Sequence, residues 1–95
     1  MNNLLGKLVV SKKGRDEKNI YMIFSTNGNF CYLVDGKYHK IENPKKKNLK
    51  HIDFLGAKSE KISEKIEKKL KIFDSEVFSF IKNYKNDWNF NFNML

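Results

Sequence analysis

Short apolar runs separated by turn residues occupy the first half of the chain. Residues 8–10, 20–24 and 30–34 form apolar stretches with the length of short strands. Asn27-Gly28 stands between the second and third stretches, and Asn-Gly is a strong hairpin signal because both residues tolerate a positive φ. The pattern predicts three strands, of which the last two form a hairpin.

Two further segments complete a set of five predicted strands. Asp35-Gly36 is typical of a second hairpin turn, and we assign residues 37–41 and 49–52 to the fourth and fifth strands. Five short strands with tight turns indicate a small closed barrel. The second and third strands are apolar on both faces, so we expect one face to fill the barrel and the other to receive a helix.

After residue 57 the apolar residues recur with the period of a helix. Ile62, Ile66 and Leu70 repeat every four residues with charges between them, and Ser59 is the predicted N-cap. The apolar stripe continues further, which leaves one long helix open as an alternative. We expect two helices, about 59–70 and 75–85.

A new helix start is the reason for expecting two helices. Asp74-Ser75 followed by Glu76 has the composition of an N-cap and a first helical turn. The last ten residues, 86–95, alternate asparagine with aromatic side chains and show no clear period. We expect that segment to be a mobile tail or a strap over the core.

Charge is the next feature that narrows the function. The 95 residues carry a net charge of +8, and residues 1–55 hold eleven basic and five acidic groups against eight and six in residues 56–95. The positive excess on the strand half indicates a polyanionic partner. A chain this short leaves no room for a deep enzymatic cleft, so we expect no catalysis and no cofactor.

The sequence also bears on location and assembly. No apolar run approaches the roughly 20 residues of a membrane helix, and the N-terminus lacks a signal peptide. A single cysteine, Cys31, excludes an internal disulfide and fits a reducing cytoplasm. We therefore expect a cytoplasmic monomer without membrane association.

Two groups of basic residues lie in predicted loops. Lys12, Lys13 and Arg15 belong to the first loop, and a lysine run from residue 40 to residue 50 borders the second. In a small barrel both loops can share one rim and form a cationic patch for nucleic acid. The alternative is that these lysines are merely solvated.

Aromatic residues could add stacking faces for unpaired bases. The candidates are Tyr21, Phe30, Tyr32 and Tyr38. They occupy predicted strand positions, so we expect them to belong to the core. The expectation is weakest for Tyr38, which is close to a turn.

The order of these features resembles a KOW motif. Gly6-x-x-Val9 is followed by Gly14-Arg15-Asp16 and by the second strand, and Asp35-Gly36-Lys37 and a lysine-rich closing segment come after it. The pattern is similar to bacterial KOW domain-containing RNA-binding proteins and to archaeal and eukaryotic large-subunit ribosomal proteins. It departs from the family at Lys18, where related proteins usually have a glycine.

The resemblance implies both a fold and a partner. The fold would be mainly β with C-terminal α: a five-stranded SH3-like (KOW) barrel over 1–56, a helical extension over 57–86 and a tail over 87–95. The partner would be structured RNA, foremost ribosomal RNA in a translation-associated role on a ribosomal subunit. Arg15 would make the most specific contact, and Gly14 and Asp16 would shape the loop. The predicted RNA-binding residues are Lys12, Lys13, Arg15, Lys40, Lys45, Lys46, Lys47, Lys50 and His51.

Other chemistries fit the sequence less well. Cys31, His39 and His51 match no zinc spacing, and a Cys31–His39 nucleophile pair would place the thiol inside an apolar strand. The helical segment could lie on a membrane surface, but its six acidic residues oppose that. Two binding alternatives stay open: a transcription-associated KOW module, and a protein-interaction adaptor that uses the helical tail.

Overall fold

The computed structural model describes residues 3–12 and 19–94, with side chains as far as residue 87. Five strands form one antiparallel sheet in the order β4-β3-β2-β1-β5, and two helices follow. The elements are β1 (Lys7–Ser11), β2 (Ile20–Asn27), β3 (Phe30–Val34), β4 (Lys45–Asn48), a 3₁₀ turn (Leu49–His51), β5 (Ile52–Lys58), α1 (Glu60–Glu67) and α2 (Asp74–Met94).

The predicted hairpin between β2 and β3 is confirmed. Asn27 pairs with Phe30, which leaves Gly28 and Asn29 as a two-residue loop. Gly28 has a φ of +61°, the positive value that the first loop residue of a type II′ turn requires. The hairpin brings together the two most apolar strands of the chain.

The sheet has a core on each face, as the two-sided apolar pattern of β2 predicts. Ile23 lies in one core with Val9, Leu33 and Ile52, and Leu49 of the 3₁₀ turn packs against that core. The neighbouring side chain, Met22, points to the other face. There it joins the second core, whose remaining buried members are Leu8, Val34, Ile62, Val77 and Ile81.

Two helices are present, and both starts follow the predicted signals. The Ser59 hydroxyl accepts a hydrogen bond from the backbone N–H of Ile62 at 3.2 Å, which confirms Ser59 as the N-cap of α1. The Glu76 carboxylate reaches back to the Phe73 N–H at 2.9 Å and accepts from Lys65 Nζ at 2.6 Å. The same side chain therefore starts α2 and links α2 to α1.

Helix α2 extends beyond its predicted end. The expected boundary near residue 85 is absent, and the helix continues to Met94 through the segment that was expected to be a tail or a strap. Neither helix in the described ranges combines the length and the apolar character needed to cross a membrane.

The predicted fourth strand, 37–41, is wrong. These residues lie in an irregular connection that joins β3 to β4. Asp35 Oδ1 accepts hydrogen bonds from the backbone N–H groups of Lys37, Tyr38 and His39 at 2.9, 2.9 and 2.8 Å. Because a side chain uses these donors, they do not enter a strand ladder. The fourth strand is instead Lys45–Asn48, inside the lysine run that was expected to be a loop.

The fifth strand also differs from its prediction. Residues 49–51 form the 3₁₀ turn, and β5 begins only at Ile52 and continues to Lys58. It pairs with β1, with Ser11 opposite Ile52. The 3₁₀ turn therefore carries the chain from one edge strand of the sheet, β4, to the other, β5.

The irregular connection is fixed to the first turn of α2. Gly36 has a φ of +79°, and a Cβ added to it would meet the Asp74 carbonyl oxygen and the Phe78 backbone nitrogen. The Ile41 N–H also donates to Asp74 Oδ1 at 2.8 Å. A side chain larger than hydrogen at residue 36 would separate this connection from the helix.

We expect the Asp35 carboxylate to make stability depend on acid. Burial raises its pKa, but hydrogen bonds from the backbone N–H groups of His39 and Lys37 and from the His39 ring outweigh burial and leave the pKa below its ordinary value. The lowered pKa means that Asp35 contributes stability above the unfolded-state pKa, about 3.9, and that this contribution is lost as the pH falls through the folded-state pKa.

Asp35→Asn tests this expectation by urea unfolding between pH 7 and pH 3. At pH 7 the variant should lose about 1–2 kcal/mol, because hydrogen bonds to a charged acceptor are stronger than those to a neutral one. Its stability should then fall less on acidification than that of the wild type. Glu42→Gln controls for the loss of a surface carboxylate in the same connection. Equal acid sensitivity of Asp35→Asn and wild type would contradict the assignment.

Candidate nucleic-acid interface

The 3₁₀ turn lies beside the end of β1 and the β2–β3 hairpin. The Lys12 N–H donates to the His51 carbonyl at 2.8 Å, and the Leu49 N–H donates to the Asn29 carbonyl at 2.8 Å. Asn48 Oδ1 accepts from the Lys50 N–H at 3.0 Å and starts the turn. The base of the first predicted basic loop is therefore next to the end of the lysine run.

The lysines of β4 do not share one loop. Lys46 is opposite Tyr32 in the register, whereas Lys45 and Lys47 are opposite Leu33 and Cys31. Because side chains alternate along a strand, Lys46 lies on one face of the sheet and its two neighbours lie on the other. Lys45 and Lys47 are half-buried, and Lys46 is exposed.

Lys46 and two aromatic rings form a small platform on the outer face of the sheet. Lys46 Nζ lies 4.3 Å from the centroid of the Phe30 ring, and Tyr32 is on the same face. The register shift in β2 between Ile23 and Ser25 places polar side chains, rather than core residues, on this part of the face. Phe30 is 38% exposed as a result. We call Phe30, Tyr32 and Lys46 the Phe30–Lys46 platform.

The charge around the platform is uneven. Residues 43–52 contain four lysines and one histidine and no acidic residue. Lys12 instead forms an exposed ion pair with Asp53, with 3.3 Å between Nζ and Oδ1. Such pairs contribute little to stability, but Asp53 offsets the field of Lys12. The positive field at this end of the sheet comes mainly from β4 and the 3₁₀ turn.

The remaining predicted basic residues divide into two groups. Lys40 is exposed in the connection before β4, so it lies at the other end of β4 from Lys50 and apart from the 3₁₀ turn. Lys13, Gly14, Arg15 and Asp16 lie outside the described residues. The proximity of Arg15 to Lys46 stays a prediction.

The four aromatic candidates have different environments. Tyr21 belongs to the core, as predicted, and its ring packs edge-on against His39 with 5.4 Å between centroids. Tyr32 is half-buried. The core assignment is wrong for Phe30 and for Tyr38, which is 78% exposed. Exposure at a turn and beside an edge strand explains both.

Cys31 is a packed core residue. Its side chain is fully buried, and its Sγ donates to the Lys47 carbonyl at 3.4 Å. Burial raises the pKa of the thiol, which favours the unreactive protonated form. Within the described part of the chain, no three His, Cys, Asp or Glu side chains are grouped so that they could hold a metal ion.

Comparison with known proteins assigns no family to the chain. No family model matches it, and no curated protein matches it. The functional argument therefore rests on position, exposure and charge.

Proposed function

We propose that this protein is a non-enzymatic RNA-binding protein that uses β4, the 3₁₀ turn and the Phe30–Lys46 platform. The observation that carries the proposal is the exposed Phe30 ring beneath Lys46, next to a lysine-rich stretch without acidic residues. Lysines would bind phosphates, and the ring would offer a face to an unpaired base.

Energetic magnitudes favour a base over the lysine on the ring. An exposed cation–π contact contributes about 0.5–1 kcal/mol, whereas base stacking on an aromatic side chain contributes about 1–3 kcal/mol. A base can therefore displace the Lys46 ammonium from Phe30 with a net gain. The displaced ammonium then has a phosphate as its partner.

We also propose that the sheet closes as an SH3-like barrel of the KOW kind. The strand order and the 3₁₀ turn between the two edge strands support this proposal, as does the register shift in the middle of β2. In such a barrel Arg15 and the 3₁₀ turn would belong to one rim. By the KOW resemblance, the target would be structured ribosomal RNA in a translation-associated role in the cytoplasm.

Two rival functions remain within reach of the same molecule. A transcription-associated KOW module would use the same rim on nascent RNA or RNA polymerase. A protein-interaction adaptor would use α2, and the exposed Phe73 and Phe78 side chains, at 54% and 40%, favour that second candidate.

Sedimentation and crosslinking of the full chain test the main proposal. We expect a tagged protein to sediment with ribosomal subunits and to crosslink to RNA through peptides that contain Phe30 or residues 45–51, because these carry the exposed ring and the lysines. Crosslinks confined to α2, or crosslinks to protein alone, would favour the adaptor.

Variants separate the RNA surface from the helical surface. Arg15→Ala combined with alanine at Lys45, Lys46 and Lys47 should abolish RNA retention. Phe78→Ala and Trp88→Ala should leave it unchanged. The reverse result would assign the function to α2 and overturn the proposal.

A further inference from the structure

A second candidate site lies away from the Phe30–Lys46 platform, where the irregular connection after β3 meets α2. It is a crevice of about 310 Å³ whose principal lining residues are Asp35, Lys37, Tyr38, His39, Phe78 and Lys85. The volume is at the lower end of the range for small-molecule sites. The platform and the 3₁₀ turn take no part in its lining.

One wall of the crevice is a single face of α2. Phe78, Ile81 and Lys85 follow one another at spacings of three and four residues, which places them on the same side of a helix. Ile81 is buried at the base of this wall, Phe78 is 40% exposed and Lys85 is exposed. The wall therefore offers an apolar ring near its start and a cation near its end.

The opposite wall repeats this combination of an aromatic ring and a cation. The Tyr38 side chain is 78% exposed, and Lys37 Nζ lies 5.1 Å from the centroid of its ring. The three N–H donors held by Asp35, together with the close approach of Gly36 to α2, fix the backbone that carries both residues. The wall is formed before any ligand arrives, which reduces the entropy lost on binding.

The unspent charge in the crevice is positive. Asp35 is its only acidic residue, and its carboxylate already accepts three backbone N–H groups through Oδ1 and faces His39 Nδ1 at 3.4 Å through Oδ2. Neither Lys37 nor Lys85 forms an ion pair with another described residue. A ligand that suits this site has a planar ring and an anionic group.

We propose that the crevice binds a nucleoside monophosphate, with the base against Tyr38 and Phe78 and the phosphate on Lys37 and Lys85. Aromatic faces accept any base, and the lysines supply charge-assisted hydrogen bonds to phosphate oxygens. The site is independent of the proposed RNA surface. It adds a small-molecule ligand to a protein whose other surface suits a polymer.

Titration of the full ¹⁵N-labelled chain, followed by NMR, tests the proposal. The probes are AMP, GMP, CMP and UMP, with adenosine and inorganic phosphate as part-ligands. We expect at least one monophosphate to shift the amides of residues 35–39 and 78–85 in a saturable way. Adenosine and phosphate should each bind more weakly, since each lacks half of the contacts.

Two matched variants identify the contacts. Lys37→Gln with Lys85→Gln should weaken binding by at least about tenfold, and Tyr38→Ala should weaken it as well. Lys71→Gln and Phe73→Ala are controls, because Lys71 also lies 5.1 Å from an exposed ring centroid, that of Phe73, outside the crevice. Both controls should bind like the wild type.

Three results would overturn the inference. They are the absence of shifts around the crevice with all four monophosphates, undiminished binding by the double lysine variant, and shifts confined to β4 and the 3₁₀ turn. The last result would mean that nucleotides report the RNA surface, so the proposed function would survive while the crevice site would fall.

Discussion

Gly36→Ala should lower the free energy of unfolding by about 3–5 kcal/mol. At a φ of +79° an alanine costs about 1–2 kcal/mol in backbone strain. Its Cβ would also press on the Asp74 carbonyl oxygen and lie 2.8 Å from the Phe78 backbone nitrogen. Backbone at that position cannot move aside as a flexible side chain can, so the connection and α2 must separate, at a further cost typical of overpacking.

Gly56→Ala is the matched control for this prediction. Gly56 has nearly the same φ, +80°, but a Cβ there meets nothing within 4 Å. Its variant should lose only the strain, about 1–2 kcal/mol. Urea unfolding measures both losses on the same scale. Equal losses would show that strain alone matters and that the close approach of residue 36 to α2 contributes nothing.

Glutamine at four lysines of the RNA surface should reduce RNA affinity by about a hundredfold or more near physiological salt. The substituted residues are Lys45, Lys46, Lys47 and Lys50. Each lost phosphate contact releases fewer counterions on binding, so the slope of log affinity against log salt should become shallower by about three. Filter binding or fluorescence anisotropy over a salt series gives both quantities.

A second fourfold variant separates local contacts from overall charge. Lys61, Lys69, Lys71 and Lys82 are exposed on the helical half, and glutamine at all four lowers the net charge from +8 to +4, as in the first variant. We expect this control to keep most of the affinity. Similar losses in both variants would show that the protein attracts RNA only through its total charge.

The same pair of variants tests a structural role for the lysines of β4. Edge strands of sheets often carry lysine, which prevents pairing with another chain. If that is their only role, the β4 variant should self-associate in light scattering while its RNA affinity changes no more than that of the control. The proposal requires the loss of affinity in the monomeric fraction.

Local signals predicted the parts of the fold that local chemistry decides. The apolar pattern of β2 identified a strand with a core on each face, and Ser59 identified the start of α1. Both signals depend on neighbouring residues only. They survive in the folded chain because tertiary contacts agree with them.

The errors occurred where distant contacts decide the structure. Residues 37–41 alternate like a strand, but the Asp35 carboxylate takes three of their N–H groups. Asp35-Gly36 was read as a hairpin turn, although the capping ability of aspartate was a usable signal for an irregular turn. The helical state of 86–94 was missed because asparagine and aromatic residues have weak helix propensity.

The candidate site was predictable in composition but not in arrangement. The lysine run has no apolar period, and its strand state comes from pairing with β3. Without that register, nothing in the sequence brings Phe30 under Lys46. Lys85 and Tyr38, nearly fifty residues apart, likewise meet only because the connection docks on α2.

The buried thiol of Cys31 gives the molecule an internal reporter. It is the chain's single cysteine, and its contact with the Lys47 carbonyl spans the boundary between β3 and β4. An alkylating reagent reaches it only when that edge of the sheet opens, so the rate of modification measures how often β4 detaches. A polymer held across β4 slows the reaction, whereas an occupant of the distant crevice leaves it unchanged.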